Sequence, residues 1–170
     1  MGTYNKEREE LHKTIWSIAE ELRGAVDGWE FKAYVLGAIF YRYISENLTD
    51  YINNLQAAAG IKDFDYAKMK DEEAEEAHEM MVQEKGFFIL PSDLFCNVCK
   101  IAETDENLNE RLERIFNSIE NSAKGSESED DFKGLFDDFD VNSNKLGPTV
   151  AKRNERLAKL LLGIKVLKDF

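Results

Sequence analysis

The chain has 170 residues, and 43% of them are hydrophobic, enough for the core of one ordinary domain. No window contains the roughly 18 uncharged apolar residues that a membrane span needs. The first ten residues are charged rather than signal-like. We therefore expect a single soluble, cytoplasmic domain over residues 1–170 that makes no contact with a membrane.

Charge is distributed unevenly along the chain. The net charge of −12 would oppose non-specific attraction to nucleic acid if it were spread evenly. Between Lys145 and Lys168, however, there are seven basic residues and one acid, Glu155. The whole-chain charge therefore hides a basic end.

Two helices are predicted in the first third of the chain. Leu11, Ile15, Ile18 and Leu22 recur at spacings that place them on one helical face, and Gly24 follows as a stop. After it, Asp27 is a predicted N-cap, with Glu30 three residues on.

The second predicted helix covers residues 31–55 and is apolar almost all round, as a central buried helix would be. Arg42 lies within this run. An unpaired buried charge is costly, so we expect Arg42 to reach the surface along its stem or to find a partner.

Residues 61–85 are acidic and contain few large apolar residues, which predicts a solvated helix or an extended excursion. His78 within this stretch has no neighbour in the sequence that suggests catalysis. Residues 87–91 read as a short extended connector, and Ser92 is a predicted N-cap for a helix that includes Leu94 and Ile101.

The remaining pattern is also helical. Leu108 to Ile119 repeat the helical spacing, residues 132–139 predict one short helix, and a last helix is predicted from about Thr149. Without an alternating strand pattern, we predict an all-α, irregular bundle of about five to seven helices.

Two apparent metal motifs are weak. Cys96 and Cys99 have the spacing of a zinc half-site or a redox pair, but no further ligands lie at suitable spacing, so we interpret them as two thiols on a short helix. Asp138, Asp140 and Asn142 match the start of a calcium loop. The positions of its glycine and closing glutamate hold Ser143 and Thr149, so we reject calcium.

No catalytic constellation is visible. The ten glycines form no cofactor-binding cluster, and the two prolines, Pro91 and Pro148, cannot form an Asn-Pro-Pro motif. The sequence thus predicts no catalytic, cofactor-binding or metal-binding residue.

Several stretches, in order, resemble one known family over nearly the whole chain except the acidic residues 61–85. These stretches are 11–16, 27–32, 34–37, 40–45, 121–132, 135–140 and 144–147. They resemble the N-terminal helical domain of the modification (M) subunit of type I restriction-modification DNA methyltransferases.

The resemblance implies a parent subunit that is an S-adenosylmethionine-dependent adenine N6 methyltransferase. It also implies partners, namely DNA, a specificity subunit, a second M subunit and a restriction subunit. The catalytic domain would follow this one, so the 170-residue chain should be inactive alone.

A helical domain of this family is expected to help embrace DNA and to contribute to assembly. Basic side chains bind phosphates without reading sequence, so the basic end supplies the candidate nucleic-acid-binding residues. These are Lys145, Lys152, Arg153, Arg156 and Lys159. The alternative is a solvated helix face that balances acidic charge elsewhere.

Two other classes of function stay open. An acidic helical DNA mimic would suit the net charge but not the basic end. A protein-interaction module without an enzymatic role could use Trp16, Trp29 and Tyr41 as anchors, although aromatics at helical spacing more often lie in the core.

Overall fold

The computed structural model describes residues 28–167 continuously and, before them, residues 6, 8–10, 12, 13, 16, 17 and 20, which are helical. Within these residues the chain forms helices and no strands, which confirms the all-α class. From residue 28 onward the α-helices are α1 (Gly28–Ala58), α2 (Asp71–Ala74), α3 (His78–Lys85), α4 (Phe95–Ile101), α5 (Leu108–Ser122), α6 (Glu129–Phe132) and α7 (Val150–Lys165). The stripe Leu11, Ile15, Ile18 and Leu22, the stop at Gly24 and the N-cap at Asp27 lie outside the described residues.

Helix α1 is the central element, as predicted, and extends three residues beyond each predicted end. Its 31 residues pack against α4 and α7. Ala38, Tyr41 and Leu48 are completely buried on it. A helix enclosed on several sides needs apolar residues around most of its circumference, which is the pattern in the sequence.

Arg42 of α1 is paired, which confirms one of the two expectations for it. Its Nη1 group donates to the carbonyl oxygens of Ile164 and Leu167, at 2.7 Å each. Its Nε donates to Glu46 Oε1, also at 2.7 Å. Because the last carbonyls of a helix lack intrahelical donors, the guanidinium completes the C-terminal end of α7.

Asp93 connects three parts of the domain. Its carboxylate is almost completely buried and accepts hydrogen bonds from Nη2 and Nη1 of Arg114 in α5, at 3.0 and 3.2 Å. Its backbone carbonyl accepts a hydrogen bond from the Tyr41 hydroxyl in α1. Burial raises the pKa of Tyr41 well above its usual value, so this hydroxyl remains a donor at all physiological pH values.

The prediction that Ser92 caps α4 is wrong. Ser92 lies in a 3₁₀ turn, and its backbone N–H and hydroxyl both donate to the carboxylate of Asp71, at 3.0 and 2.5 Å. The N-cap of α4 is Leu94, which has no capping side chain. Instead Ser45 Oγ of α1 accepts the Phe95 N–H at 3.1 Å, so the cap comes from another helix.

Residues 61–85 are more closely packed than the predicted excursion. They form two 3₁₀ turns, Tyr66–Lys68 and Glu75–Ala77, together with the short helices α2 and α3. Tyr66, Ala74 and Met81 are at most 1% exposed, and partly buried apolar side chains of the same segment, including Phe64 and Val82, also pack against the core. These side chains hold the acidic segment onto the body while most of its carboxylates face solvent.

The prediction of one short helix over residues 132–139 is also wrong. Helix α6 ends at Phe132, and residues 133–138 form successive turns through Gly134, whose φ is 70°. A left-handed residue interrupts a helix, yet Phe136 and Phe139 still reach the core. A Cβ on Gly37 of α1 would lie 2.6 Å from the Phe139 ring, so this contact requires glycine.

The Asp93–Arg114 pair predicts a test of the core. Arg114→Ala leaves a buried carboxylate without its charged partner; because the Arg114 side chain is itself 55% exposed, the free energy of unfolding should fall by about 2 kcal/mol, measured by urea denaturation followed by circular dichroism. The double variant Asp93→Asn with Arg114→Ala keeps the backbone contact to Tyr41 and should recover at least about 1 kcal/mol. Equal losses in the two variants would contradict a charge-dependent role.

Candidate nucleic-acid interface

Helix α7 carries most of the predicted basic site, and its start agrees with the prediction. Thr149 is the N-cap, and its hydroxyl accepts the Lys152 N–H at 3.1 Å. Leu157, Leu161 and Ile164 are buried against the body. Helix α7 packs on α1, α4 and α5, so the opposite face of α7 is directed outward.

The two arginines of the predicted site hold the preceding loop. Arg153 donates from Nε to the Gly147 carbonyl at 2.8 Å and from Nη2 to Asn144 Oδ1 at 2.6 Å. Arg156 donates from Nη1 to the carbonyl of Leu146, a residue that is 1% exposed. The guanidinium groups therefore fix the loop against α7.

Sequence reasoning did not identify Asn144 and Gly147 as acceptors of the arginine hydrogen bonds that hold this loop. The available signal was an Asn-Lys-Leu-Gly loop directly before a basic helix, because an arginine in the first turns of a helix can reach back to the loop that enters it. A Cβ on Gly147 would lie 2.9 Å from the backbone nitrogen of Arg153, which shows how closely the loop approaches the helix.

The three lysines lie at the surface. Lys145 and Lys159 are exposed, and Lys152 is half-buried with its Nζ 3.3 Å from Glu155 Oε2. Lys152, Arg156 and Lys159 follow the i, i+4, i+7 spacing of one helical face. The structure thus brings the α7 residues of the predicted site together, and divides all five into loop-binding arginines and surface lysines.

Carboxylates border this surface. Lys159 lines a cleft of about 560 Å³ that also contains Glu103, Asp105 and Glu106. Burial acts to raise the pKa of Asp105, but hydrogen bonds from Arg111 at 2.5 Å and from the Asn107 N–H at 2.9 Å outweigh it and lower the pKa. Asp105 is therefore ionised at neutral pH, and the basic face of α7 adjoins an acidic cleft.

A larger open groove, of about 1020 Å³, lies between α3 and α5 and includes His78. The Nδ1 of His78 lies 2.9 Å from Glu75 Oε1, and the His78 ring stacks on Phe88 at 4.5 Å between ring centroids. Ser122 in the same groove accepts the Phe88 N–H and donates to the Ile119 carbonyl. The Ser122 hydroxyl therefore has a structural role, joining the start of the 87–91 connector to α5.

The thiols are on the predicted short helix, α4. Cys96 is exposed and Cys99 is buried, and both are free. Burial raises the pKa of Cys99 to about 12, so it remains a neutral thiol at physiological pH. In the part of the chain that the structure describes, no three His, Cys, Asp or Glu side chains are grouped as metal ligands.

The three aromatic side chains considered as anchors differ in position. Tyr41 is completely buried, so it is a core residue. Trp16 is 69% exposed. The side chain of Trp29 lies outside the described residues. Among the described residues, none of the helices has the length and apolar character needed to cross a bilayer.

Comparison with known proteins gives consistent matches. Residues 11–164 match the model of the HsdM N-terminal domain. The chain is 43% identical over 170 aligned positions to the type I restriction enzyme MpnII methylase subunit of Mycoplasma pneumoniae, with 96% of this chain and 31% of that protein covered.

The fold is also similar to the crystal structure of the type I restriction-modification system methyltransferase subunit from Streptococcus thermophilus. The TM-score is 0.71 at 25% identity, with 94% of this chain and 34% of that chain covered. The chain therefore spans about a third of the length of each of these relatives.

The division between arginines and lysines predicts different effects on stability. Arg156→Ala leaves the buried Leu146 carbonyl without its donor and should lower the free energy of unfolding by about 1–2 kcal/mol. Lys152→Ala removes only an exposed ion pair and should change it by less than about 0.5 kcal/mol. Urea denaturation of both variants checks this, and a larger loss for Lys152→Ala would refute the assignment.

Proposed function

Because the chain belongs to the HsdM N-terminal domain family, we propose that it helps the modification subunit of a type I restriction-modification enzyme to embrace DNA and to assemble with its partners. The observation that carries this proposal is the family match over residues 11–164. The similarity in fold to a solved methyltransferase subunit supports it.

The proposed parent subunit transfers a methyl group from S-adenosylmethionine to adenine N6 in DNA. The sequence of this chain contains no cofactor loop and no Asn-Pro-Pro motif, and its relatives are about three times longer. These facts favour a catalytic domain outside residues 1–170. In this proposal the helical domain supports the reaction, in the cytoplasm, without taking part in the chemistry.

The proposed partners are DNA, a specificity subunit, a second modification subunit and a restriction subunit. Toward DNA, Lys145, Lys152 and Lys159 present ammonium groups at the surface, where they can displace counterions from phosphates. Arg153 and Arg156 act on DNA indirectly, because they hold the loop that contains Lys145 against the helix that contains the other two lysines.

A second candidate role is protein interaction, and the exposure of Trp16 favours it. Large aromatic side chains are frequent anchors at protein interfaces, and a tryptophan that is 69% exposed has much apolar area to bury. Within a multisubunit enzyme this role and DNA contact do not exclude each other.

Methyl transfer tests the proposal directly. The 170-residue chain and the subunit extended beyond residue 170 are each combined with the specificity subunit, and incorporation of labelled methyl groups into DNA is measured. We expect activity only with the extended subunit. Absence of activity in both would favour a binding module or an acidic DNA mimic, and activity of the short chain would contradict the proposed division of roles.

Salt dependence tests the lysines. In the extended subunit with its specificity subunit, Lys152→Ala with Lys159→Ala should weaken binding to specific and non-specific DNA alike. It should also reduce the slope of log affinity against log salt by about 2, because each lost phosphate contact removes roughly one released counterion.

The matched control is Lys68→Ala with Lys70→Ala, which removes two exposed lysines from the acidic segment. This control should leave the slope unchanged. Equal slopes for all three proteins would show that the α7 lysines face solvent and not phosphate.

A further inference from the structure

One acidic residue interrupts the basic surface of α7. Glu155 is the only acid between Lys145 and Lys168, a stretch that contains seven basic residues. It lies three positions after Lys152 and four positions before Lys159. Residues at these spacings are neighbours on one face of a helix, so the Glu155 carboxylate lies between the two lysines.

The contact with the first of these lysines is formed in the structure. Glu155 Oε2 lies 3.3 Å from the Nζ of Lys152. Toward Lys159, a glutamate four residues before a lysine is the more favourable order of such a pair in a helix. Glu155 and Lys159 also line the same cleft of about 560 Å³. One carboxylate is therefore near both α7 lysines that we propose as phosphate contacts.

Two further exposed carboxylates line this cleft. Glu103 and Glu106 belong to the segment that precedes α5, and they lie across the cleft from the α7 residues. Carboxylates near an ammonium group attract it by the same Coulomb interaction that a phosphate uses. Lys159 is thus surrounded by acids from its own helix and from a neighbouring segment.

Contact with DNA would have to exchange these partners. A phosphate that binds the ammonium group of Lys152 separates it from Glu155, and the released carboxylate then lies close to the negative DNA backbone. An ion pair at the surface is weak, so this exchange should lower the affinity for DNA by roughly two- to fivefold without preventing binding.

We propose that Glu155 is an autoinhibitory residue whose carboxylate competes with DNA phosphates for Lys152 and Lys159. Glu103 and Glu106 compete for Lys159 alone. The inference rests on the proposed function, because it requires that these lysines contact phosphate. A phosphate that other contacts of the enzyme hold against α7 has a high effective concentration and displaces the carboxylate, whereas a passing duplex does not.

Equilibrium binding to a DNA duplex of random sequence tests the proposal in the extended subunit with its specificity subunit. Glu155→Gln removes the charge, keeps the size of the side chain and should tighten binding by roughly two- to fivefold. In the background Lys152→Ala with Lys159→Ala, the gain from Glu155→Gln should fall below roughly 1.5-fold, because the lysines for which it competes are gone.

The matched control is Glu72→Gln, which removes the same charge from an exposed position in the acidic segment. It should change the affinity equally with and without the two lysines, because a long-range charge effect does not depend on them.

The cleft carboxylates give a second test. Glu103→Gln with Glu106→Gln should tighten binding of the wild type and of Lys152→Ala, but not of Lys159→Ala. The Glu106 backbone carbonyl, which accepts a hydrogen bond from Asn154, is unchanged in this variant. A gain that persists in Lys159→Ala would show that these acids act only through net charge.

The outcomes separate this inference from the proposed function. If Lys152→Ala with Lys159→Ala leaves the affinity unchanged, the proposed phosphate contact is wrong and the competition is wrong with it. If those substitutions weaken binding, the inference alone is overturned when Glu155→Gln gives no gain, or when its gain persists without the lysines. Glu155 then serves only to stabilise the helix.

Discussion

The Asp93 carboxylate, 3% exposed, is held by Arg114 of α5, while the Asp93 carbonyl is held by Tyr41 of α1. Breaking such a pair costs more than forming it gains, because the remaining charge stays buried without its partner. These contacts join α1, α5 and the turn that precedes α4. Helix α7 packs on all three of these helices, so the direction of its basic face depends on the same contacts.

The arginines between residues 28 and 167 bind acceptors within the protein. Each arginine between residues 28 and 167 donates to a protein acceptor: Arg42, Arg111, Arg114, Arg153 and Arg156. A planar guanidinium can hold two acceptors at once, which suits helix ends and loops, whereas lysine is a flexible point charge. The positive charge left at the surface of α7 therefore belongs mainly to lysines, which suit phosphate contact without base recognition.

The parts of this structure that sequence could predict are those governed by periodicity. The apolar stripes of α5 and α7 and the nearly all-apolar pattern of α1 each specify a helix, because they depend only on which residues share a face. The wrong predictions concern contacts between segments that are distant in the sequence. Ser92 has the sequence pattern of a helix cap, but in the structure it donates its hydrogen bonds to Asp71, 21 residues away.

The same limit applies to the candidate site. Its residues share a helix and could be grouped from sequence, but the division between loop-binding arginines and surface lysines depends on how the loop 144–147 folds back. The pairing of His78 with Glu75 was within reach of sequence, since residues three apart on a helical turn are neighbours. The position of Lys159 in the same cleft as Asp105 could not be predicted from sequence, since these side chains come from distant segments.

Net charge limits what the proposed DNA contact can achieve alone. A chain of charge −12 is repelled by DNA at long range, while its surface lysines act only within a Debye length of about 8–10 Å. Under the proposed function, engagement therefore requires that the rest of the enzyme first bring α7 close to the phosphates. An acidic body with a small cationic face would bind weakly to random DNA and contribute affinity only once the complex is in place. The same charge distribution explains why the contribution of the lysines should be sought in the assembled subunit and not in the isolated chain.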